Sequence, residues 1–423
     1  MSKALLGCIA DDFTGATDLA SSLVRSGMRV VQSIGTPAQA LAQEVDAVVI
    51  ALKTRTVAAS DAIAQSLQAL AWLQGQGVQQ VYFKYCSTFD STPEGNIGPV
   101  TEALMDALGE TFTIASPAFP ENGRTIFKGH LFVGDVLLSA SGMKDHPLTP
   151  MRNSNLVQVL QAQTKRAVGL IDYLTVAQGS AAIGARITQL KAQGVGIAIV
   201  DALGHEDLMK LGPALASLRL VTAGSGVAMG LPQNFGIRAS NQAATLPQTS
   251  GRQAIVSGSC SVATQAQVAH FLAGGHAGFA IDPLSLAQGQ PVVDQAMQWF
   301  EQQNPDQPVL FYATARPETV QVVQAELGTT QAGALVEQAL SSIARHLVSQ
   351  GVGQLVVAGG ETSGACVKAL EIETLRIGGA IAPGVPWCHA ASPFARQGHL
   401  HITLKSGNFG AEDFFTGAFE KLR

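Results

Sequence analysis

The segment Ala4-Leu5-Leu6-Gly7-Cys8-Ile9-Ala10-Asp11-Asp12-Phe13-Thr14-Gly15-Ala16 decides the fold class. Residues 4–9 form a short continuous apolar run, which reads as a strand buried on both faces. A turn carrying two adjacent carboxylates follows. Helical periodicity then starts: residues 14–25 put Leu19, Leu23 and neighbouring alanines on one face, and the pattern stops at Gly27. The same strand, polar turn and helix recur outward along the chain. Residues 28–34, 47–52, 81–85 and 111–115 read as strands, with helices over 58–74 and 98–108 between them. A strand at 167–170, a helix near 180–193 and a strand at 196–200 ending at Asp201 continue the series. Such alternation predicts a parallel sheet covered by helices on both faces.

The rhythm breaks at Pro232-Gln233-Asn234-Phe235-Gly236 and in the polar run from Asn241 to Gly251, which have turn-forming composition and no period. It restarts with strands at 254–256, 308–313 and 354–358, helices at 262–272 and 335–350, closing strands at 375–377 and 399–404, and a final helix at 411–422. The expected architecture is α/β with two domains, each a mostly parallel sheet flanked by helices, and an active-site cleft between them. The boundaries read as 1–231, a linker at 232–252, and 253–423. A length of 423 residues suits two or three domains.

Composition narrows the function classes. Charged residues make up 13% of the chain, about half the usual share, and Gly is abundant at 44, so the chain is rich in interior and tight turns. Net charge is −5 and no basic run could neutralise a stretch of phosphates, which argues against nucleic acid as partner. No apolar run approaches the roughly 20 residues a membrane span needs. The beginning of the chain lacks the long apolar stretch of a signal peptide. Five cysteines with no CxxC spacing argue against a disulfide framework or a zinc knuckle and read as small core residues. Together these features lead to the expectation of a reduced, cytoplasmic protein.

Polar or Gly-rich clusters follow several strands, and the carboxyl ends of strands are where open α/β sheets bind ligands. In Asp11-Asp12-Phe13-Thr14-Gly15, one carboxylate can cap the following helix, but capping does not account for both. Lys84-Tyr85-Cys86-Ser87-Thr88-Phe89-Asp90-Ser91-Thr92 ends a strand with a cation and a run of hydroxyls. These could satisfy their own loop backbone; with Lys84 and Asp90 beside them they suit a hydroxylated, anionic substrate. In Ser116-Pro117-Ala118-Phe119-Pro120-Glu121-Asn122-Gly123-Arg124-Thr125, Arg124 offers a planar fork for a carboxylate, and Arg55 is a second candidate of this type. In the second half, Ser257-Gly258-Ser259-Cys260-Ser261, Gly359-Gly360-Glu361-Thr362-Ser363-Gly364 and Lys405-Ser406-Gly407-Asn408-Phe409-Gly410 are Gly loops of the kind that let backbone N–H groups approach a phosphate. None matches GxxxxGK[ST] or GxGxxG, which counts against a P-loop kinase and against a nicotinamide dehydrogenase. His399 and His401 share one face of a strand but lack a recognisable third ligand, so no metal is assigned. Cys388 and His389, adjacent on an extended chain, point to opposite faces. His146-Pro147-Leu148-Thr149-Pro150-Met151 reads as a rigid turn or a lid.

Taken together, and in this order, these motifs resemble the four-carbon acid sugar kinase family over nearly the whole chain. The Cys86-Ser87-Thr88-Phe89-Asp90-Ser91-Thr92 form resembles its 3-oxo-tetronate branch; threonate and erythronate kinases of the family tend to carry Asp in place of the Cys. The resemblance implies an N-terminal sugar-acid domain, a C-terminal ATP domain, and phosphate transfer from ATP, with Mg²⁺, to the terminal hydroxyl of the substrate. It carries substrate contacts to the first three motifs, and so to Lys84, Ser87 and Arg124; Arg55 stands as a substrate-binding candidate on its own chemistry. It carries ATP contacts to Ser257, Gly258, Ser259, Gly359, Gly360, Glu361, Thr362, Ser406 and Gly407. It does not say which carboxylate is the base; Asp12 is the first candidate, with Asp11 and Asp90 behind it. A threonate or erythronate kinase, an NAD(P)-dependent sugar-acid dehydrogenase and a non-catalytic sugar-acid-binding protein are the alternatives. The expected partners are small molecules, with a homo-oligomer left open.

Overall fold

A computed structural model describes residues 4–40, 44–146, 148–314 and 328–422 of the chain. It divides into two compact units, 1–244 and 245–423. In the first unit eight parallel strands lie in the order Val30–Ile34, Ala47–Ala51, Leu6–Ala10, Gln80–Lys84, Leu220–Ala223, Thr113–Ser116, Val195–Val200, Ala167–Ile171. Leu6–Ala10 is buried along its whole length, as its unbroken apolar run requires. The chain passes first to one side of it and then, at Gln80–Lys84, to the other. Its carboxyl end is therefore a topological switch point, where a crevice opens.

Asp12 starts the helix Phe13–Arg25 by accepting the Gly15 N–H, and Leu19, Ala20, Leu23 and Val24 press its inner face onto the sheet. Each such Leu contributes about 1.5–3 kcal/mol by leaving water. The helix stops at Gly27, whose φ of 98° and close approach to Arg238 O admit only glycine. A small antiparallel sheet, Arg124–Phe127, His130–Val133 and Val136–Leu137, was not expected from the sequence. Its first turn has φ of 51° at Lys128 and 74° at Gly129, and buried Asp201 accepts both of their N–H groups.

In the second unit the strand order is Gly278–Ala280, Val309–Tyr312, Arg252–Ser257, Val352–Ala358, His399–Lys405, Val385–Ala391, Thr374–Ala382. The first five are parallel and the last two antiparallel. Part of the expected linker is structured: Pro232–Phe235 forms a 3-10 turn against the helix His205–Ala214, with Pro232 buried and Asn234 Nδ2 donating to Gly212 O. The strand expected at 254 already begins at Arg252. All five cysteines are free; Cys8, Cys366 and Cys388 are buried in the core, but Cys86 is half-buried and Cys260 exposed. Among the described residues no helix is long and apolar enough to cross a membrane.

Candidate active site

Leu6–Ala10 lies between Ala47–Ala51 and Gln80–Lys84 in register, so the residues following these three strands emerge side by side. Arg55 is the hub. Its Nε and Nη2 donate to both oxygens of Asp11 at 2.9 and 2.8 Å, Nη2 also reaches Asp12 Oδ1 at 2.8 Å, and Nη1 lies 3.6 Å from Asp90 Oδ2. Its fork is thus committed to three carboxylates. Asp90 in turn accepts Thr88 Oγ1–H at 2.5 Å. Phe89 between them is fully buried with φ of 53°, a conformation costing about 1–2 kcal/mol in a non-glycine residue, and its ring packs edge-on against Tyr85.

The neighbouring carboxylates differ. Burial pushes the Asp11 carboxyl up, against the pull of Arg55. Burial acts on Asp12 too, but Arg55, Lys84, the Thr14 hydroxyl and the Gly15 N–H together hold it below the usual range. Asp12 accepts Gly15 N–H and Arg55 at Oδ1 and Thr14 Oγ1–H at Oδ2, 2.7 Å away. A carboxylate has about four lone-pair positions, so one remains open on Oδ2. Asp12 is also the most accessible of the set, with 26% of its side chain exposed against 10% for Asp90 and 6% for Asp11.

Lys84 is buried and uses one ammonium donor on Tyr85 O, at 2.8 Å. The Ser87 hydroxyl, half-buried, has no hydrogen-bond partner among the described residues. Sequence reasoning missed Asp18: burial raises its pKa despite the nearby Lys84 cation, and it accepts the hydroxyl of Ser225 at 2.5 Å. A third carboxylate within two helical turns of Asp11-Asp12 was the signal available. Among the described residues Arg124 makes no hydrogen bond or ion pair with this cluster: its Nη1 turns back to Asn122 O, and its buried Nε–H has no partner. Pro147, in the expected lid, lies outside the described residues.

Removing Arg55 would leave mutually repelling, largely buried carboxylates. Arg55→Met should therefore destabilise the protein by about 3–5 kcal/mol at pH 7, measured by denaturant unfolding. The loss should shrink at pH 5, because burial favours the protonated form of Asp11 and acid shifts the balance further towards it. A variant as stable as wild type at both pH values would show that the cluster does not depend on Arg55.

In the second unit Arg252–Ser257, Val352–Ala358 and His399–Lys405 are adjacent and parallel, so the three Gly loops meet. Gly258 N–H donates to Ala358 O, and Gly359 N–H to Lys405 O at 2.8 Å. Ser261 Oγ and Thr264 Oγ1 both donate to Gly407 O, at 2.6 and 2.8 Å. A Cβ on Gly258 would collide with Thr362 Oγ1, and one on Gly407 with Ser259 Oγ. Gly359, with φ of 126°, caps the helix Gly360–Ala369. At Gly360, by contrast, a Cβ would meet no atom of the described residues within 4 Å beyond its own turn of helix. Among the described residues the result is a set of Gly turns gathered at a helix N-terminus with Gly360 facing open space, a form that suits phosphate. Ser257 Oγ pairs with Thr314 Oγ1 at 2.8 Å at its edge.

His399 and His401 gain a neighbour across the ladder. The His389 ring centroid is 4.9 Å from that of His399 and 5.6 Å from that of His401. Among the described residues no group of three or more His, Cys, Asp or Glu is arranged to hold a metal ion. His401 Nε2 is bonded to Pro247 O at 2.9 Å. Burial, aided by His399 and His401, depresses His389 from 6.5 to about 4, and burial depresses His401. The unfolded chain thus binds more protons between these values, so stability should fall as pH drops from about 6.5 towards 4. Melting temperature against pH should show this slope, and His389→Asn should flatten it; an unchanged slope would remove His389 from the account.

A sugar-binding N-terminal domain family matches residues 6–231 and a nucleotide-binding C-terminal domain family matches 254–415. The chain is 57% identical over 425 aligned residues to a 3-oxo-tetronate kinase of Burkholderia multivorans, covering 100% of this chain and 98% of that protein. It is 56% identical to a protein of the same name from Pseudomonas fluorescens, covering 99% and 97%. A solved structure of a Haemophilus influenzae protein superposes with a TM-score of 0.87 at 43% identity, covering 99% of this chain and 100% of that one. With full-length relatives this similar, and both domain families in sequence order, the chain belongs to the four-carbon acid sugar kinase family, in its 3-oxo-tetronate kinase branch.

Proposed function

We propose that this chain is a kinase that transfers the γ-phosphoryl group of ATP to the terminal hydroxyl of a 3-oxo-tetronate. The observation that carries this reading is the junction of three Gly loops at the ends of adjacent parallel strands. Full-length similarity to 3-oxo-tetronate kinases supports the choice of acceptor.

Phosphoryl transfer relies mainly on positioning and charge neutralisation. The loops around Ser257-Gly258-Ser259, Gly359-Gly360-Glu361-Thr362 and Ser406-Gly407 hold the phosphates through backbone N–H groups and hydroxyls. Mg²⁺, when bound, neutralises the phosphate charge. Such an ion would keep most of its waters and so would need few protein ligands. Glu361, in the first turn of the helix behind the loop, is the carboxylate of this donor set that fits it.

In the other unit the Lys84 ammonium, which among the described residues spends one donor on Tyr85 O, holds the substrate carboxylate. Ser87 offers a hydroxyl to the substrate's polar edge. The open lone pair on Asp12 Oδ2 accepts the O–H of the attacking hydroxyl, orients its oxygen, and takes the proton as the bond to phosphorus forms. The lowered pKa keeps Asp12 ionised and able to accept the hydroxyl's hydrogen bond, and makes orientation rather than basicity its larger contribution. Arg55 fixes Asp12 without blocking that lone pair.

A thermal-shift panel tests the reading, since ligands that bind only the folded state raise its stability. ATP and a 3-oxo-tetronate should each raise the melting temperature, and NAD(P) should not. Stabilisation by NAD(P) with no effect of ATP would overturn the kinase reading. Stabilisation by the sugar acid alone would favour a non-catalytic binding protein.

A further inference from the structure

Lys405 ends the strand His399–Lys405 and has no exposed surface. Its ammonium donates to Thr264 Oγ1 at 2.9 Å, Gly407 O at 3.0 Å and Ser406 O at 3.2 Å, so its three N–H groups all end on neutral oxygens. The Phe414 ring centroid is 5.9 Å away. Among the described residues no carboxylate forms an ion pair with it. A buried charge without a counter-ion is costly, and folded proteins rarely keep one without a use.

Its place in the fold supplies that use. The carbonyls it gathers belong to the Ser406-Gly407 turn, and Gly407 O also receives Ser261 and Thr264. Its own carbonyl receives the Gly359 N–H. Lys405 thus joins all three Gly loops from beneath. We propose that Lys405 is a positioning residue that shapes these loops and whose buried positive charge is completed by the phosphates of the bound nucleotide, acting through the Ser406-Gly407 turn rather than by contact. The proposal rests on reading the loops as the nucleotide site, and names the charge that makes that site selective for phosphate.

A proton linkage follows. Burial holds the ammonium down at about 8. The titratable groups on its own strand and on the helices beside it, Val262–Ala273, Gly360–Ala369 and Phe414–Glu420, are His399, His401, His270, Glu361, Cys366, Lys368 and Glu420, and burial is the one cause of the shift. Phosphates nearby favour the charged form, so nucleotide binding should raise this pKa and take up protons at alkaline pH, where ATP itself is fully ionised.

Calorimetry of ATP binding at pH 8.5, in two buffers of different protonation enthalpy, measures that uptake directly. Wild type should take up a substantial fraction of a proton with ATP and none with adenosine. Its ATP affinity should fall by about tenfold between pH 7.5 and 9.5, while adenosine affinity stays flat. Lys405→Met should lose the uptake and bind ATP about 10–100-fold more weakly, with adenosine affinity unchanged. A merely structural lysine would weaken both ligands together and leave no proton signal. If Lys405→Met does not fold, the wild-type comparison of ATP with adenosine decides alone. ATP binding with no proton uptake at pH 8.5 overturns the proposal and leaves the nucleotide site standing. Absence of ATP binding even at pH 7 overturns the site reading and the proposal with it.

Discussion

Replacing Asp12 with Asn should lower kcat by about 10²–10⁴-fold and change the affinity for either substrate far less. A positioned base contributes a factor of that size, and its loss is felt mainly in the transition state. The substitution separates the two roles of Asp12. The Asn Oδ1 can still accept the Gly15 N–H that caps the helix and the Arg55 fork, as Asp12 Oδ1 does now. The amide nitrogen then replaces Oδ2, and the Thr14 hydroxyl can rotate to accept from it. The substrate hydroxyl, however, would meet a donor where it needs an acceptor. A melting curve must accompany the kinetics. A normally folded variant with near-wild-type kcat would reduce Asp12 to a cap. Asp90 would then take its place ahead of Asp11, whose two oxygens are both held by Arg55.

Gly360→Phe should raise the KM for ATP by about 10²-fold without lowering the melting temperature. The neighbouring glycines cannot separate fold from ligand. Gly359 has φ of 126°, and a side chain on Gly258 would strike Thr362. Gly360 can, because among the described residues its Cβ would meet no atom within 4 Å beyond its own turn of helix. A Phe there projects into the space assigned to phosphate. It would displace one or two charge-assisted hydrogen bonds, each contributing about 1.5–3 kcal/mol. Sugar-acid binding, followed by calorimetry, should survive. Loss of sugar-acid binding with ATP binding intact would reverse the division of labour between the units.

Much of the fold was legible because its strands are continuous apolar runs. Residues 6–10, 47–51, 80–84 and 254–257 are buried, and each is followed by the polar loop that marks its carboxyl end. The small sheet from Arg124 to Leu137 was missed for the converse reason. Phe127, Val136 and Leu137 are exposed, so no burial pattern announces it, and its turn uses a Lys in a positive-φ conformation. Val385–Ala391 was not read as a strand either: Pro386 interrupts it, and its partners come from antiparallel neighbours rather than a βα unit.

In the site, residue types were legible and pairings were not. Arg55 reads as a substrate fork in isolation. Only the parallel register of three strands shows that Asp11, Asp12 and Asp90 claim it. Asp18 finds its partner Ser225 across 207 residues of sequence. Lys405 looks like the first residue of a loop, yet it is the buried end of a strand.

The most direct test of the central claim is the identity of the product. The chain should be incubated with ATP, Mg²⁺ and a 3-oxo-tetronate and the mixture followed by phosphorus NMR. The account predicts ADP and a new phosphomonoester signal split by the methylene protons of the terminal carbon, growing in step with ADP. ADP with inorganic phosphate alone, or a phosphoryl group on any other oxygen of the acid, would contradict it.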